Sequence, residues 1–130
     1  MAVFSRCLAT ATLLFAATAI AQDAPGRKEL RRVDLPNAPG MEVVLSISEY
    51  KVGDELPRHL HHGIESGYVV EGGMVQPPSG PPIALPTGAP ILNMPNLPHA
   101  GFKIVGDKPI RLFTVHIVEK GKPLYEWVKQ

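Results

Sequence analysis

Three histidines and a glutamate fall within seven residues of this chain, and their types and spacing suit metal binding. They are His59, His61, His62 and Glu65, and His99 follows later. In an extended strand residues i and i+2 face the same side, so His59 and His61 project together. A turn after that strand can bring Glu65 to the same point, and His99 on a facing strand would add a further imidazole. Such a set binds one divalent transition-metal ion (iron, manganese, nickel, copper or zinc) and leaves positions open for water or substrate.

The other two histidines have simpler expected roles. On an extended strand His62 faces away from its neighbour, so we expect it at the solvent side or at the rim of the fold. His116 shares a strand face with Leu112, Thr114 and Val118, which favours a core or pocket-wall position over a fifth ligand.

Residues 53–72, GDELPRHLHHGIESGYVVEG, resemble the first motif of the cupin superfamily, G-x5-H-x-H-x3-E-x6-G. Every fixed position of that motif is present in the chain. The matching residues are Gly53, His59, His61, Glu65 and Gly72.

The second motif of the same family, G-x5-P-x-G-x2-H-x3-N, is matched only in part. Gly88 and His99 hold their positions, whereas Met94, Asn96 and Lys103 replace the proline, the glycine and the final asparagine. Asparagine tolerates the left-handed backbone conformation that a glycine position often requires, so the exchange at Asn96 is acceptable. The Lys103 departure leaves the anchoring of its strand and the direction of its side chain open.

The resemblance implies an all-β fold, a single antiparallel jelly-roll barrel, with His59, His61, Glu65 and His99 as ligands of one divalent ion inside. It also implies a metal-dependent enzyme acting on a small organic molecule, first a dioxygenase-like oxidoreductase and otherwise an isomerase or lyase. The ion would serve as Lewis acid or redox centre, and Glu65 would be the catalytic residue, as ligand and general base. The alternative is a non-catalytic module that binds a small molecule or a metal, since few other acids or bases accompany the cluster.

The elements around these residues are predicted to be short strands. Glycine and proline together make up 26 of the 130 residues, and no stretch longer than about ten residues has a helical apolar period. Pro-rich residues 77–90 are interpreted as a hairpin loop at the barrel mouth, with a polyproline segment that binds a protein partner as the alternative. Strands are predicted at 42–50, 67–71, 83–85, 91–94, 99–105 and 110–119, a spacing typical of a β-sandwich or barrel.

The N-terminus has the pattern of a secretory signal peptide, residues 1–21. Arg6 precedes an apolar run without charge, and Ala19 and Ala21 occupy the two positions that signal peptidase reads. We therefore expect cleavage before Gln22, a periplasmic or secreted protein, and no stable membrane anchor after cleavage.

The chain that follows cleavage is divided into a leader with a first turn, residues 22–40, and the barrel domain, residues 41–130. Loss of Arg6 leaves 12 basic and 12 acidic residues, so nucleic acid is not an expected partner. The single cysteine lies in the signal peptide, which excludes thiolate ligands from the mature protein. The expected partners are a small-molecule ligand or substrate and, through edge strands, a second copy in a homodimer.

Overall fold

The computed structural model describes residues 23–129, and in that range its regular secondary structure is entirely β. The expected signal peptide, residues 1–21, lies outside the described residues. Over the described part of the chain, no helix is long and apolar enough to cross a membrane.

The described residues form eleven strands. They are β1 (Arg27–Asp34), β2 (Met41–Tyr50), β3 (Glu55–Leu56), β4 (His59–Leu60), β5 (Gly63–Glu71), β6 (Gly73–Gln76), β7 (Ile83–Leu85), β8 (Pro90–Asn93), β9 (Phe102–Val105), β10 (Ile110–Glu119) and β11 (Glu126–Trp127). The predicted strands at 83–85 and 110–119 have the expected bounds, and the other four appear with ends shifted by one to four residues. The prediction missed β1, β3, β4, β6 and β11.

The strands form two main antiparallel sheets and a short ribbon. The larger sheet has the order β1-β2-β10-β5-β8, the smaller has the order β3-β9-β6-β7, and β11 pairs with β4. Neighbours in these sheets are mostly distant in sequence, as in a jelly roll. Buried residues of both sheets, such as Val44 and Leu112 from the larger and Val75 and Ile104 from the smaller, belong to one core. The all-β jelly-roll prediction is confirmed.

The inward face of the larger sheet is polar at its centre. Ser46 and Ser48 of β2 and Thr114 and His116 of β10 are buried, as is Glu65 of β5. The register sets His116 directly opposite Glu65. Short or polar side chains at these inward positions leave space inside the barrel and supply groups that require partners there.

The segment expected to be a leader, residues 22–40, contributes the edge strand β1, which pairs antiparallel with β2. Its sequence, RKELRRVD, has no apolar alternation, and its side chains are largely exposed. Arg27 is the exception, since its side chain is almost fully covered and donates to Ser46 Oγ at 2.5 Å. Backbone pairing with β2, rather than side-chain burial, therefore places this strand.

The backbone explains the residue type at two positions of the motifs, Gly72 and Asn96. A Cβ on Gly72 would lie 2.3 Å from the Leu85 carbonyl oxygen, so a side chain does not fit there without movement. Asn96 has a φ of 59°, the left-handed conformation that the missing glycine would have adopted. Its N–H donates to the His61 carbonyl at 2.9 Å, which ties the loop before His99 to the histidine segment.

Candidate metal centre

The predicted ligands converge from three parts of the barrel. His59 lies in β4, His61 directly follows it, Glu65 lies in β5, and His99 lies in the loop before β9. Backbone hydrogen bonds in both directions, of 3.1 and 2.8 Å, join His59 to His99. One ligand atom from each of His59, His61 and His99 lies within 4.8 Å of the other two. The structure thus brings together the three predicted histidine ligands.

The three imidazoles of this group are oriented by the backbone. Each donates its Nδ1–H to a carbonyl: His59 to Pro57 at 2.8 Å, His61 to Leu124 at 2.5 Å and His99 to Leu97 at 3.0 Å. A carbonyl oxygen only accepts, so Nδ1 carries a proton, and in the neutral ring Nε2 keeps its lone pair. This is the outer hydrogen bonding that fixes the tautomer of a metal-binding histidine.

Glu65 faces these imidazoles with both carboxylate oxygens. Oε2 lies 3.2 Å from His61 Nε2 and 3.4 Å from His99 Nε2, and Oε1 lies 3.4 Å from His116 Nε2. Nitrogen lone pairs that face a carboxylate repel it unless a proton or a cation lies between them. Two ligands of one ion, each about 2.1 Å from it, lie roughly 3.0 to 3.5 Å apart.

In the described part of the chain, several nitrogen atoms of the cluster also lack hydrogen-bond partners, as expected where an ion would bind. Within residues 23–129, His99 Nε2 and both ring nitrogens of His116 have no hydrogen-bond partner, although all three atoms are buried. Buried polar atoms normally have partners. The donor set is therefore compatible with a divalent transition-metal ion.

The pKa values of Glu65 and His59 show which groups of the cluster are charged near neutral pH. Burial opposes ionisation of Glu65, but in the metal-free protein its contacts with His116, His61 and His99, which stabilise the carboxylate where a proton lies between nitrogen and oxygen, outweigh burial and hold the pKa of that carboxyl well below its usual range. Burial lowers the pKa of His59 to about 4, so its imidazole is uncharged near neutral pH. A charged carboxylate and a neutral imidazole are the forms that bind a metal.

His116 is buried in the core, as expected, and it also contacts the cluster. It is fully buried, and its ring centroid lies 4.6 Å from that of His61. Together with His61 and Glu65 it forms a second group of ligand atoms within 4.8 Å of one another. The expectation of a core or pocket-wall histidine missed this contact with the cluster.

A cavity of about 320 Å³ opens from the cluster, and His59, Glu65 and His99 line it. Its walls are mainly apolar, and its remaining polar groups are hydroxyls and one amide. Those wall residues include Leu56, Leu85, Ile91, Phe102 and Leu112, with Ser48, Tyr50, Asn93, Thr114 and Tyr125 as the polar ones. Among the described residues no lysine, arginine or aspartate lines this space. The volume suits a small ligand.

Asn93 and Tyr125 belong to the site, although no sequence pattern singled them out as site residues. Asn93 Nδ2 donates to Glu65 Oε2 at 2.6 Å, and the register pairs these two residues across β8 and β5. The Tyr125 ring packs 4.8 Å from His59 and stacks on Trp127. Burial raises the pKa of Tyr125 well above its usual value, so the phenol remains protonated.

His62, expected at the solvent side or rim, and Lys103, whose direction the sequence left open, both make their side-chain contacts outside the cluster. His62 Nε2 lies 2.7 Å from a carboxylate oxygen of the exposed Glu126. The Lys103 ammonium is half-exposed and lies 3.9 Å from Glu55. The departure from the second motif at Lys103 therefore leaves the ligands untouched.

Comparison with known proteins agrees with this architecture. The sequence profile of a family described as "Cupin domain" matches residues 46–116, more than half of the chain. No curated protein sequence matches the chain significantly.

Several solved structures share the fold. The polyketide cyclase RemF from Streptomyces resistomycificus is 24% identical, with 82% of this chain and 74% of that chain covered and a TM-score of 0.56. A conserved protein with a double-stranded beta-helix domain from Klebsiella pneumoniae is 17% identical, with 92% and 100% covered and a TM-score of 0.57. A structure described as DMSP lyases RdDddP and RnDddQII is 19% identical in sequence, with a TM-score of 0.53. The match covers 67% of this chain but only 44% of the DMSP lyase chain.

Proposed function

This chain belongs to the cupin family, and we propose that it is a metal-dependent enzyme acting on a small organic molecule inside its barrel. The observation that carries the proposal is the cluster itself. Backbone-oriented imidazoles surround a buried carboxylate, and the cluster lies at the wall of an apolar cavity. Such convergence of titratable groups in a cavity is typical of a reaction site.

In this proposal His59, His61, Glu65 and His99 hold one divalent transition-metal ion. The bound ion would supply a Lewis acid for a substrate oxygen or, if it is redox-active, the oxidation chemistry of a dioxygenase. Neutral imidazoles with one carboxylate accept iron, manganese, nickel, copper or zinc.

Glu65 is the group that would accept a proton from the substrate. Its carboxyl lines the cavity, and Asn93 holds Oε2 by a hydrogen bond of 2.6 Å. Burial raises the pKa of Tyr50 to about 12 and that of Tyr125 well above its usual range. Both phenols therefore stay protonated and act as hydrogen-bond donors rather than bases. Glu65 is the one carboxylate among the described lining residues, so it is the group left to act as a base.

The cavity walls define the substrate class. Leucine, isoleucine and phenylalanine side chains can cover a ring or a short carbon chain, and the absence of lysine and arginine from the described lining disfavours an anion bound away from the cluster. We expect an uncharged, mainly apolar molecule with an oxygen function that reaches His59, Glu65 and His99.

The reaction type follows from the scarcity of acids and bases. A site with one carboxylate base and two protonated phenols suits a dioxygenase-like oxidation better than hydrolysis. The names of two structural neighbours, a polyketide cyclase and DMSP lyases, support a cyclase or lyase reaction as the alternative. The same scarcity keeps a non-catalytic binding module as the second candidate.

For location, we propose an exported protein, periplasmic or secreted. The support is the charge and apolar pattern of residues 1–21, with Ala19 and Ala21 before the expected cleavage point. Intact mass of the protein isolated from its natural host should give a chain that begins at Gln22. A chain that still begins at Met1 would contradict export by cleavage.

For assembly, we propose a homodimer; in place of the edge strands expected from the sequence, the interface proposed is the outer face of the larger sheet. Apolar residues of β2 and β10 are paired in register on that half-buried face: Val43 with Ile117, Leu45 with Val115 and Ile47 with Phe113. Light scattering should give twice the chain mass for wild type and the monomer mass for Val115→Lys. A monomeric wild type would contradict the dimer.

Turnover separates the enzyme from the binding module. The metal-loaded protein is tested for oxygen uptake and product formation on a panel of small aromatic and carbonyl compounds, beside His59→Ala. An enzyme gives turnover that the variant lacks. Ligand binding that His59→Ala weakens, with no product from any compound that binds wild type, would support the binding module instead.

A further inference from the structure

We propose that His116 is a fourth imidazole ligand of the same ion, so that the centre has four histidines and one glutamate. The inference rests on the proposed metal site, and it extends that site beyond both sequence motifs, since His116 lies in β10.

His116 contacts Glu65 in the same way as His99 does. Its Nε2 lies 3.4 Å from Oε1, and His99 Nε2 lies 3.4 Å from Oε2. Neither nitrogen makes a hydrogen bond to any residue in the range 23–129. A ring N–H that held the carboxylate would point along the line to its oxygen. Donors that share an ion instead lie side by side, directed at a common point between them.

The ring spacing supports the same assignment. The centroids of His61 and His116 are 4.6 Å apart, and those among His59, His61 and His99 are 4.4 to 4.9 Å apart. His61 belongs to both groups of neighbouring ligand atoms, and Glu65 belongs to the group that contains His116. The two groups share His61, and Glu65 Oε2 of the second group lies 3.4 Å from His99 Nε2 of the first.

The position of His116 in the fold is well suited to a ligand. The central strand β10 pairs with β2 on one side and β5 on the other, and its register sets His116 directly opposite Glu65. The side chain is fully buried. Without an ion both buried ring nitrogens would have no hydrogen-bond partner among the described residues, which is costly unless one of them binds a ligand.

The test is the number of imidazoles bound to Co²⁺, since each histidine bound to this paramagnetic ion gives one strongly shifted ring N–H resonance in the proton NMR spectrum. We expect four such resonances from wild type and three from His116→Phe. The matched control is His62→Phe, which also removes one histidine but from the Glu126 pair outside the cluster, and it should keep four. Titration with Co²⁺ should give a dissociation constant at least about tenfold higher for His116→Phe than for the control.

The outcomes separate this inference from the proposed function. Three shifted resonances from wild type would overturn the role of His116 and leave the metal site standing. A weaker dissociation constant for His116→Phe with an unchanged count would assign His116 to holding Glu65 and would also overturn it. A wild-type protein that binds no Co²⁺ would overturn the proposed function and this inference together. The wild-type count decides the question even if His116→Phe does not fold.

Discussion

Acidification of the metal-free protein should destabilise it through His59, because the buried imidazole resists protonation. Burial lowers its pKa from about 6.5 in the unfolded chain to about 4 in the folded protein. Between these values the unfolded chain binds more protons, so the free energy of unfolding falls as the pH falls.

The size of this effect follows from the two pKa values. The full difference, reached well below pH 4, corresponds to about 3 to 4 kcal/mol at about 1.4 kcal/mol per pKa unit. Between about pH 7.5 and about pH 5 the expected share is about 2 kcal/mol. His99 acts in the opposite direction: although burial opposes it, the Glu65 contact raises the pKa of His99, which therefore adds stability on acidification.

The assay compares wild type with His59→Gln, which lacks the titrating group but keeps His99. Urea unfolding of both proteins, stripped of metal by chelation, is measured at the two pH values. Wild type should lose about 2 kcal/mol more than His59→Gln, because the opposing contribution of His99 is common to both. An equal loss in the two proteins would refute the claim that burial lowers the pKa of His59.

Three further predictions concern the ion, its outer partner and the fold. Removal of bound metal should lower the free energy of unfolding by about 3 kcal/mol, relative to protein with the free ion at about a hundred times its dissociation constant. Adding EDTA should therefore lower the melting temperature, and a melting temperature insensitive to EDTA and to added metal would contradict this. Asn93→Leu should weaken metal binding about tenfold to a hundredfold by titration, since it removes the 2.6 Å hydrogen bond to Glu65 Oε2, whereas unchanged affinity would show that the bond is dispensable. Gly72→Ala should cost about 1 to 3 kcal/mol of stability in urea unfolding because its Cβ would lie 2.3 Å from a backbone oxygen. Gly73→Ala, which meets a side-chain carbon of Ile110 at 3.0 Å, should cost less, and an equal cost would contradict the close-approach explanation.

The histidine segment could be predicted from the sequence because the spacing of its residues along the chain is enough to place their side chains on one side. His59 and His61 are two residues apart, and the short loop to Glu65 needs no long-range contact to be interpreted. The bounds of β10 were predictable for a similar reason. Turn residues lie directly before its first residue, and the strand itself is rich in β-branched residues.

The inward face of β2 would have been misjudged from hydrophobicity. Val43, Leu45 and Ile47 are the more apolar set, yet the fully or nearly fully buried side chains include Val44, Ser46 and Ser48. The barrel interior is a cavity with a polar cluster, so small polar residues belong inside. A rule that places the most apolar face inward does not apply to such a strand.

The role of His116 and that of Asn93 depend on strand pairing. Both contact Glu65 only because β10 and β8 lie on either side of β5 in the sheet. That order joins segments far apart in the chain, and no local pattern records it. The polar edge strand β1 escaped prediction for the related reason that its backbone, not its side chains, makes the contacts.

Metal content of the protein purified from its natural host tests the central claim most directly. Elemental analysis should find about one divalent transition-metal ion per folded chain, and His61→Ala, which removes a fully buried ligand, should retain little of it while circular dichroism shows the same β signal. A folded wild-type protein without a stoichiometric divalent ion, which also fails to take one up when it is supplied, would contradict the account.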